Sequence, residues 1–231
     1  MLVAAAGRFE MSQLVEASIT RVELGREVGG WGIAYCYGNR LESTRSIHPC
    51  NSDPDFRKLG ELRTDMAMIC PDNPARVSTR EVQPFTRRET GRTWAFYHHG
   101  DIVHPGHLDI GSRLPDSASP SERYFLYLMG RLDLQSPVES VTAALDELSA
   151  EHKGLSFCLM NSEVLVAASW ISGDKPDTGG GARSERALWL GQGEFVRFIS
   201  SQPLYSIPEI TWEQLPNRSV LAMNRTRREL P

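Results

Sequence analysis

The sequence predicts an α+β fold, a mixed sandwich of two β-sheets with helices packed on an outer face, and three observations carry that prediction. Short runs rich in Val, Ile, Leu, Ala and aromatics occur at 2–6, 31–37, 66–70, 94–98, 155–160, 163–170, 187–190, 195–200 and 219–223, each bounded by Gly, Pro, Asn or Asp. Runs of that length and composition read as strands. Two helix starts interrupt them near the middle of the chain. The resulting order of strands, then helices, then strands again is that of stacked sheets with helices on the outside.

Each element has its own local reason. Ser119-Pro120-Ser121-Glu122 sets a capping serine, a proline at the first helical position and a glutamate at the third, ahead of Tyr124, Phe125, Leu128 and Leu132 at helical spacing. Ser136-Pro137-Val138-Glu139 repeats the device ahead of Val141, Leu145 and Leu148. A weaker helical pattern covers Asp55 to Leu62. Residues Leu155 to Trp170 predict a hairpin turning through Asn161-Ser162-Glu163. Gly173 to Glu185 has too little apolar surface to pack and predicts a loop. No internal repeat is visible, and residues 1–231 are read as a single domain.

Composition excludes several function classes. The chain has 231 residues, 40% hydrophobic and 23% charged, an ordinary globular balance. A net charge of −4 and a pI near 5.9 argue against nucleic-acid or anionic-membrane partners, which reward clustered Lys and Arg. The basic tail Arg225-Thr226-Arg227-Arg228 and the pairs Arg87-Arg88 and Arg183/Arg186 read as solvated. The opening MLVAAAGRF is too short an apolar run for a membrane span and lacks the basic segment of a leader; the expectation is a cytoplasmic protein. Cys36, Cys50, Cys70 and Cys158 are scattered, which fits free thiols in a reducing compartment. Trp170, Trp189 and Trp212 end apolar runs and are expected in the core.

The densest chemistry lies where Trp94-Ala-Phe-Tyr97 stops at His98, His99, Gly100 and Asp101. His98, His99, His104 and His107 are four of only six histidines, with Asp101 and Asp109 among them. Imidazoles and carboxylates suit zinc or similar ions. The spacing nevertheless lacks a helical i, i+4 pair, so scaffold and loop histidines are the preferred reading, with no metal and no cofactor expected. Cys70 as a nucleophile with His98 or His99 as its base is the other catalytic option; a strand-end Cys is more often a small core residue.

Gly30-Trp-Gly-Ile-Ala34 and Phe96-Tyr-His-His-Gly-Asp-Ile102 together resemble the class II glutamine amidotransferase domain, an N-terminal-nucleophile hydrolase. Leu62 to Ile69 is similar to that family's strand leading into a His-x-Arg motif. Val82-Gln-Pro-Phe85 stands where the family has Thr-His-Pro-Phe, and Ser121-Glu122-Arg-Tyr-Phe resembles the end of its Thr-Asp-Ser-Glu helix start. The likeness continues through Leu188-Trp-Leu-Gly191, Ile199 to Leu204 and Trp212 to Pro216. It implies an αββα sandwich and a mechanism: an N-terminal cysteine attacks with its own amine as base, an arginine holds the glutamine carboxylate, an Asn-Gly pair donates to the oxyanion, and an aspartate takes the amino group.

Residue by residue, the implied machinery is replaced. Leu2 stands at the nucleophile position, and Val3, Ala4, Ala5 and Ala6 offer no thiol or hydroxyl under a one-residue shift; methionine removal before Leu is not expected. Cys70-Pro71-Asp72 aligns with His-x-Arg and puts an anion where the carboxylate-binding cation belongs. Gln83 replaces the His of the Pro-Phe motif, His99 replaces the oxyanion Asn, and Pro120 replaces the aspartate. His98 and Gly100 match the family, as do Trp31, Gly32, Pro84, Phe85, Phe96 and Glu122. A single oxyanion donor is worth roughly 3–4 kcal/mol, and here nucleophile and substrate clamps are missing too. The expectation is a catalytically inactive glutamine amidotransferase-like protein acting as a binding subunit of a partner enzyme or as a small-ligand sensor, with a homo-oligomer compatible. Asp72, Gln83 and His99 would suit a cationic or amine ligand. The alternatives are an active amidotransferase or amidohydrolase with an unrecognised nucleophile, and a metal-dependent activity at His98–His107.

Overall fold

Residues 1–23, 29–72, 78–89, 91–117, 119–148, 154–171 and 187–226 are described by a computed structural model. Strand β1 (Val3–Gly7) is small and apolar on both faces because both faces are covered. Leu2, Ala4 and Ala6 point into one core layer, and Val3 and Ala5 into another, as the two-residue period of a strand requires. The strand runs antiparallel to β10 (Val196–Ser200) on one side and β4 (Met66–Asp72) on the other. Around it lie β2 (Gly30–Tyr37), β3 (Arg40–Ser46), β9 (Trp189–Gln192) and β11 (Thr211–Gln214). The seven-stranded order is β11-β9-β10-β1-β4-β2-β3.

The second sheet has the order β12-β8-β7-β6-β5, from β5 (Phe85–Glu89), β6 (Arg92–His99), β7 (Ser156–Met160), β8 (Val164–Ser169) and β12 (Ser219–Asn224). The expected hairpin is β7–β8, with Met160 opposite Leu165. Its turn is held by Asn161 Oδ1, which accepts from the N–H groups of Glu163 (2.7 Å) and Val164 (2.9 Å), the Asx geometry that favours Asn in turns.

Three core layers follow. Between the sheets, Leu2, Met66, Met68 and Cys70 meet Ala95, Tyr97, Cys158 and Met160. Outside the five-stranded sheet, α3 (Pro120–Met129) and α4 (Pro137–Leu148) bury Tyr124, Phe125, Leu128, Val141 and Leu145 against Phe96 and Phe157. Outside the seven-stranded sheet, α1 (Met11–Glu23) and α2 (Pro54–Lys58) bury Met11, Leu14, Val15, Ile19 and Phe56 against Ile33, Ile69 and Phe198. Helices therefore cover both outer faces, giving an αββα sandwich.

Several sequence expectations need correction. Helix α1 was not anticipated, although Met11, Leu14, Val15 and Ile19 fall on one face at helical spacing. The Asp55–Leu62 pattern resolves into α2 and a separate 3₁₀ turn at Leu59–Glu61. No capping box forms at α3: the Ser119 side chain makes no cap bond. Glu122 instead reaches further back, accepting from the N–H groups of Asp116 (2.9 Å) and Ser117 (2.7 Å) and from the Ser117 hydroxyl (2.6 Å). At α4 the Ser136 hydroxyl donates to Asp133. Trp170 is core, whereas Trp189 and Trp212 are half-buried. Arg87 is engaged with Glu89 (3.5 Å) and, through Nη1, with the Leu114 carbonyl. The predicted loop 173–185, and Arg183 and Arg186, lie outside the described residues. Among the described residues no helix is long and apolar enough to cross a membrane.

Candidate functional site

Antiparallel pairing gathers the suspected site at one end of the sandwich. Val3 lies opposite Ile69, so the start of β1 and the end of β4 are neighbours, and Leu2 shares the inter-sheet core with Cys70. On the far side of β4, Gly32 pairs with Cys70 and Gly30 with Asp72. Gly32 is required by close approach: a Cβ there would lie 2.1 Å from the Gln83 carbonyl oxygen. The Gln83-Pro84 segment, joined by a cis peptide, can therefore lie directly on β2. Trp31 beside it donates Nε1–H to Asp53 Oδ2 (2.9 Å) and meets Phe56 edge-on at 5.2 Å. Burial pushes the Asp53 carboxyl up, but donors from Ser46, Trp31 and the Asp55 N–H outweigh it and leave the group below its ordinary value.

The two sheets are joined at this end by Gln83. Its Oε1 accepts from the His98 N–H (2.7 Å) and its Nε2 donates to the His98 carbonyl (3.2 Å), so a side-chain amide completes the backbone pairing of β6. The His98 ring is equally committed. Nε2 lies 2.8 Å from the Gly154 carbonyl, which only accepts, so Nε2 carries a proton; in the neutral ring, Nδ1 accepts from the Ser121 hydroxyl at 2.9 Å. The next turn of the loop presses on the same segment, since a Cβ on Gly100 would stand 2.2 Å from the Gly154 oxygen.

These contacts fix the fate of each predicted residue. Leu2 is 0% exposed; its N–H donates to Ser201 Oγ (3.2 Å) and its carbonyl accepts from Ser200 Oγ (3.1 Å). The Met1 amine donates to the Pro71 carbonyl at 3.2 Å. Cys70, Gln83 and His98 are buried, His99 is half-buried, and Pro120 is exposed at the first turn of α3. The backbone of Asp72 ends β4, while its side chain lies outside what is described. His99 stacks on Tyr97 with ring centroids 6.5 Å apart. His104 and His107 stack on each other at 5.2 Å on an exposed turn.

The four histidines are thus split between a buried ring with both nitrogens engaged, a strand end and a surface turn. Among the described residues, no three His, Cys, Asp or Glu side chains gather as metal ligands. The thiols are also poorly placed for chemistry: all four are buried, and burial pushes Cys36 up to about 12 and Cys50 up to about 11. Thiolate, not thiol, is the nucleophile.

Residues 17–170 match the family model of class-II glutamine amidotransferases. The chain belongs to that family. It is 26% identical over 117 residues to YafJ of Escherichia coli (strain K12), which carries a glutamine amidotransferase name, covering 49% of this chain and 46% of YafJ. Among solved structures it is similar to the glutamine phosphoribosylpyrophosphate amidotransferase of B. subtilis, at a TM-score of 0.72 and 14% identity, covering 96% of this chain and 47% of that one. A class-II domain protein from Silicibacter pomeroyi matches end to end, at a TM-score of 0.63 and 15% identity over 98% of this chain and 99% of its own. At such identities the structures establish the fold alone. The chain spans about half the length of YafJ and of the B. subtilis enzyme.

Of the motif positions, Leu2, Cys70, Gln83 and His98 are buried within the frame. The partners of His98 carry no signal in the sequence, because Ser121 is brought to it by the docking of α3 and Gly154 by the pairing of β7 with β6. Sequence reasoning also missed a polar cleft next door, lined by Arg45, Arg80, Thr86 and Asp116; no motif joins residues from four separate segments.

Proposed function

We propose that this class-II glutamine amidotransferase-like chain no longer hydrolyses glutamine and acts by binding, as a subunit beside a partner enzyme or as a sensor of a small ligand. The observation that carries the reading is the side chain at the head of β1. Leu2 is an aliphatic group wholly buried between the sheets beside Cys70, where the family chemistry needs a thiol or hydroxyl facing a substrate. Reach, proton acceptance and nucleophilicity are all absent from such a group. His99 in place of an oxyanion amide and Pro120 in place of an ammonium-binding carboxylate remove two further interactions. Meanwhile the sandwich stays intact, with the Gln83–His98 and His98–Ser121 bonds keeping the loop in shape. A scaffold maintained without its reaction groups is suited to recognition.

The test is glutamate and ammonia release from glutamine by the purified protein, with a thiol-alkylation control and mass spectrometry after exposure to a glutamine-analogue electrophile. The expected result is no turnover above buffer and no adduct on the first strand. Turnover abolished by alkylation, or an adduct on a trimmed terminus, overturns the reading.

A further inference from the structure

Beside the degenerate site, a cleft of about 300 Å³ opens between the edges of the two sheets, lined by Arg45, Arg80, Phe85, Thr86, Asp116 and Glu122. That volume corresponds to roughly ten molecules of liquid water, the scale of a small metabolite. Its lining includes neither Leu2, Cys70, His99 nor Gly100.

The cleft holds hydrogen-bonding capacity that the protein does not use. Arg45, on edge strand β3, commits only Nη1, to the Val82 carbonyl at 3.3 Å. Its other guanidinium nitrogens, the Arg80 guanidinium and the Thr86 hydroxyl make no hydrogen bond among the described residues. The two carboxylates of the lining differ. Glu122 is spent on Asp116 N–H and on the Ser117 N–H and hydroxyl. The exposed Asp116 carboxylate has no partner among the described residues. Burial holds the Arg45 guanidinium below its ordinary value, and the charges of Glu122 and Asp116 oppose that effect, which puts both carboxylates within electrostatic reach of it.

Charge decides what fits. Two guanidinium groups and two carboxylates make the lining neutral in sum, with charges of both signs around one opening. A bare anion would meet Asp116 and Glu122, and a bare cation would meet Arg45 and Arg80. A molecule carrying both charges satisfies both kinds of group, and Phe85 adds an apolar part to the lining. We infer that this cleft binds a small zwitterion, its carboxylate on Arg45, Arg80 and Thr86 and its ammonium on Asp116. The inference rests on the reading of the chain as a binding protein and supplies the ligand's chemical class.

The experiment is calorimetric titration of the full chain with glycine, β-alanine, 4-aminobutyrate and 5-aminopentanoate, a series of increasing charge separation, alongside butyrate, butylamine and inorganic phosphate. One member of the series is expected to bind saturably and more tightly than butyrate or butylamine. Arg80→Gln should weaken it roughly 10–100-fold, the loss typical of a charge-assisted hydrogen bond. Asp116→Asn should bring the zwitterion to the affinity of butyrate while leaving butyrate itself no weaker. Both positions are exposed, so circular dichroism should be unchanged and folding does not confuse the result. Absence of saturable binding across the series overturns the inference. So does binding indifferent to both variants, and so does tighter binding of phosphate than of any zwitterion. A protein that neither hydrolyses glutamine nor binds the series refutes only this inference, whereas glutamine turnover refutes the reading beneath it.

Discussion

Replacing Leu2 by Ala tests whether the head of β1 is core or cleft. The side chain is 0% exposed and shares the core between the two sheets with Ala4, Cys70 and Ile199. Its backbone is pinned independently: the N–H donates to Ser201 Oγ, and the carbonyl accepts from Ser200 Oγ and from the Ser201 N–H. Truncation therefore removes three methyl-sized groups without releasing the strand. With β4 and β10 laddered on both sides, the walls cannot collapse inward. The loss should fall in the middle to upper part of the Leu→Ala range, about 3–4 kcal/mol. At about 2–4 °C per kcal/mol for a chain of this size, the melting temperature should fall by about 6–16 °C. Urea unfolding should show a lower midpoint with an unchanged slope, and the volume-conserving Leu2→Met should cost less than about 1.5 kcal/mol. If Leu2 instead lined an open substrate cleft, Ala would change stability by no more than about 0.5 kcal/mol. A shift that small would refute the packing on which the proposed loss of catalysis rests.

Two other perturbations probe what holds the sandwich. At its opposite end, Arg225 Nε sits 2.5 Å from Asp65 Oδ1, both side chains 5% exposed, while Nη1 donates to the carbonyls of Gly38 (2.7 Å) and Ser162 (3.2 Å). Asp65→Ala should cost about 3–5 kcal/mol by leaving a buried guanidinium unpaired, and the double change Asp65→Leu with Arg225→Met should recover most of it; equal losses in urea denaturation would contradict the pairing. For Asp53, the folded carboxyl lies below its ordinary value, so its contribution is complete above the ordinary carboxylate range and is lost as pH falls through the folded pKa. Urea stability measured from pH 7 down to pH 3 should fall more steeply in the wild type than in Asp53→Asn, and parallel curves would refute the assignment.

How far the sequence revealed the fold depended on burial. Strands covered on both faces, such as β1 and β7, are apolar throughout and were legible as runs. The strands missed were β3, β5 and β11, all at sheet edges. There Arg40, Glu42, Arg88, Thr211 and Glu213 face solvent and dilute the pattern, as edge strands do when they avoid pairing with another chain. Helix α1 was hidden differently: it opens at Met11 with no acidic residue in its first turn and without a proline or capping signature. Periodicity alone could have found it.

The candidate site divides along the same line. Positions that shape it were readable because a glycine marks a close approach whatever its partner: Gly32 must admit the Gln83 carbonyl, and Gly100 must admit Gly154. What the site does with its remaining polar groups was not readable, since those groups answer to partners distant in sequence. Gln83 is the clearest case. As a substitution in a motif it reads as a lost histidine, whereas in the fold it is the amide that binds both backbone polar groups of His98 across 15 residues. An imidazole has no geometry for accepting from one backbone N–H and donating to the same residue's carbonyl in that way, while a primary amide matches both. The amide thus ties the Gln83-Pro84 segment, which lies on Gly32 of β2, to β6 of the other sheet.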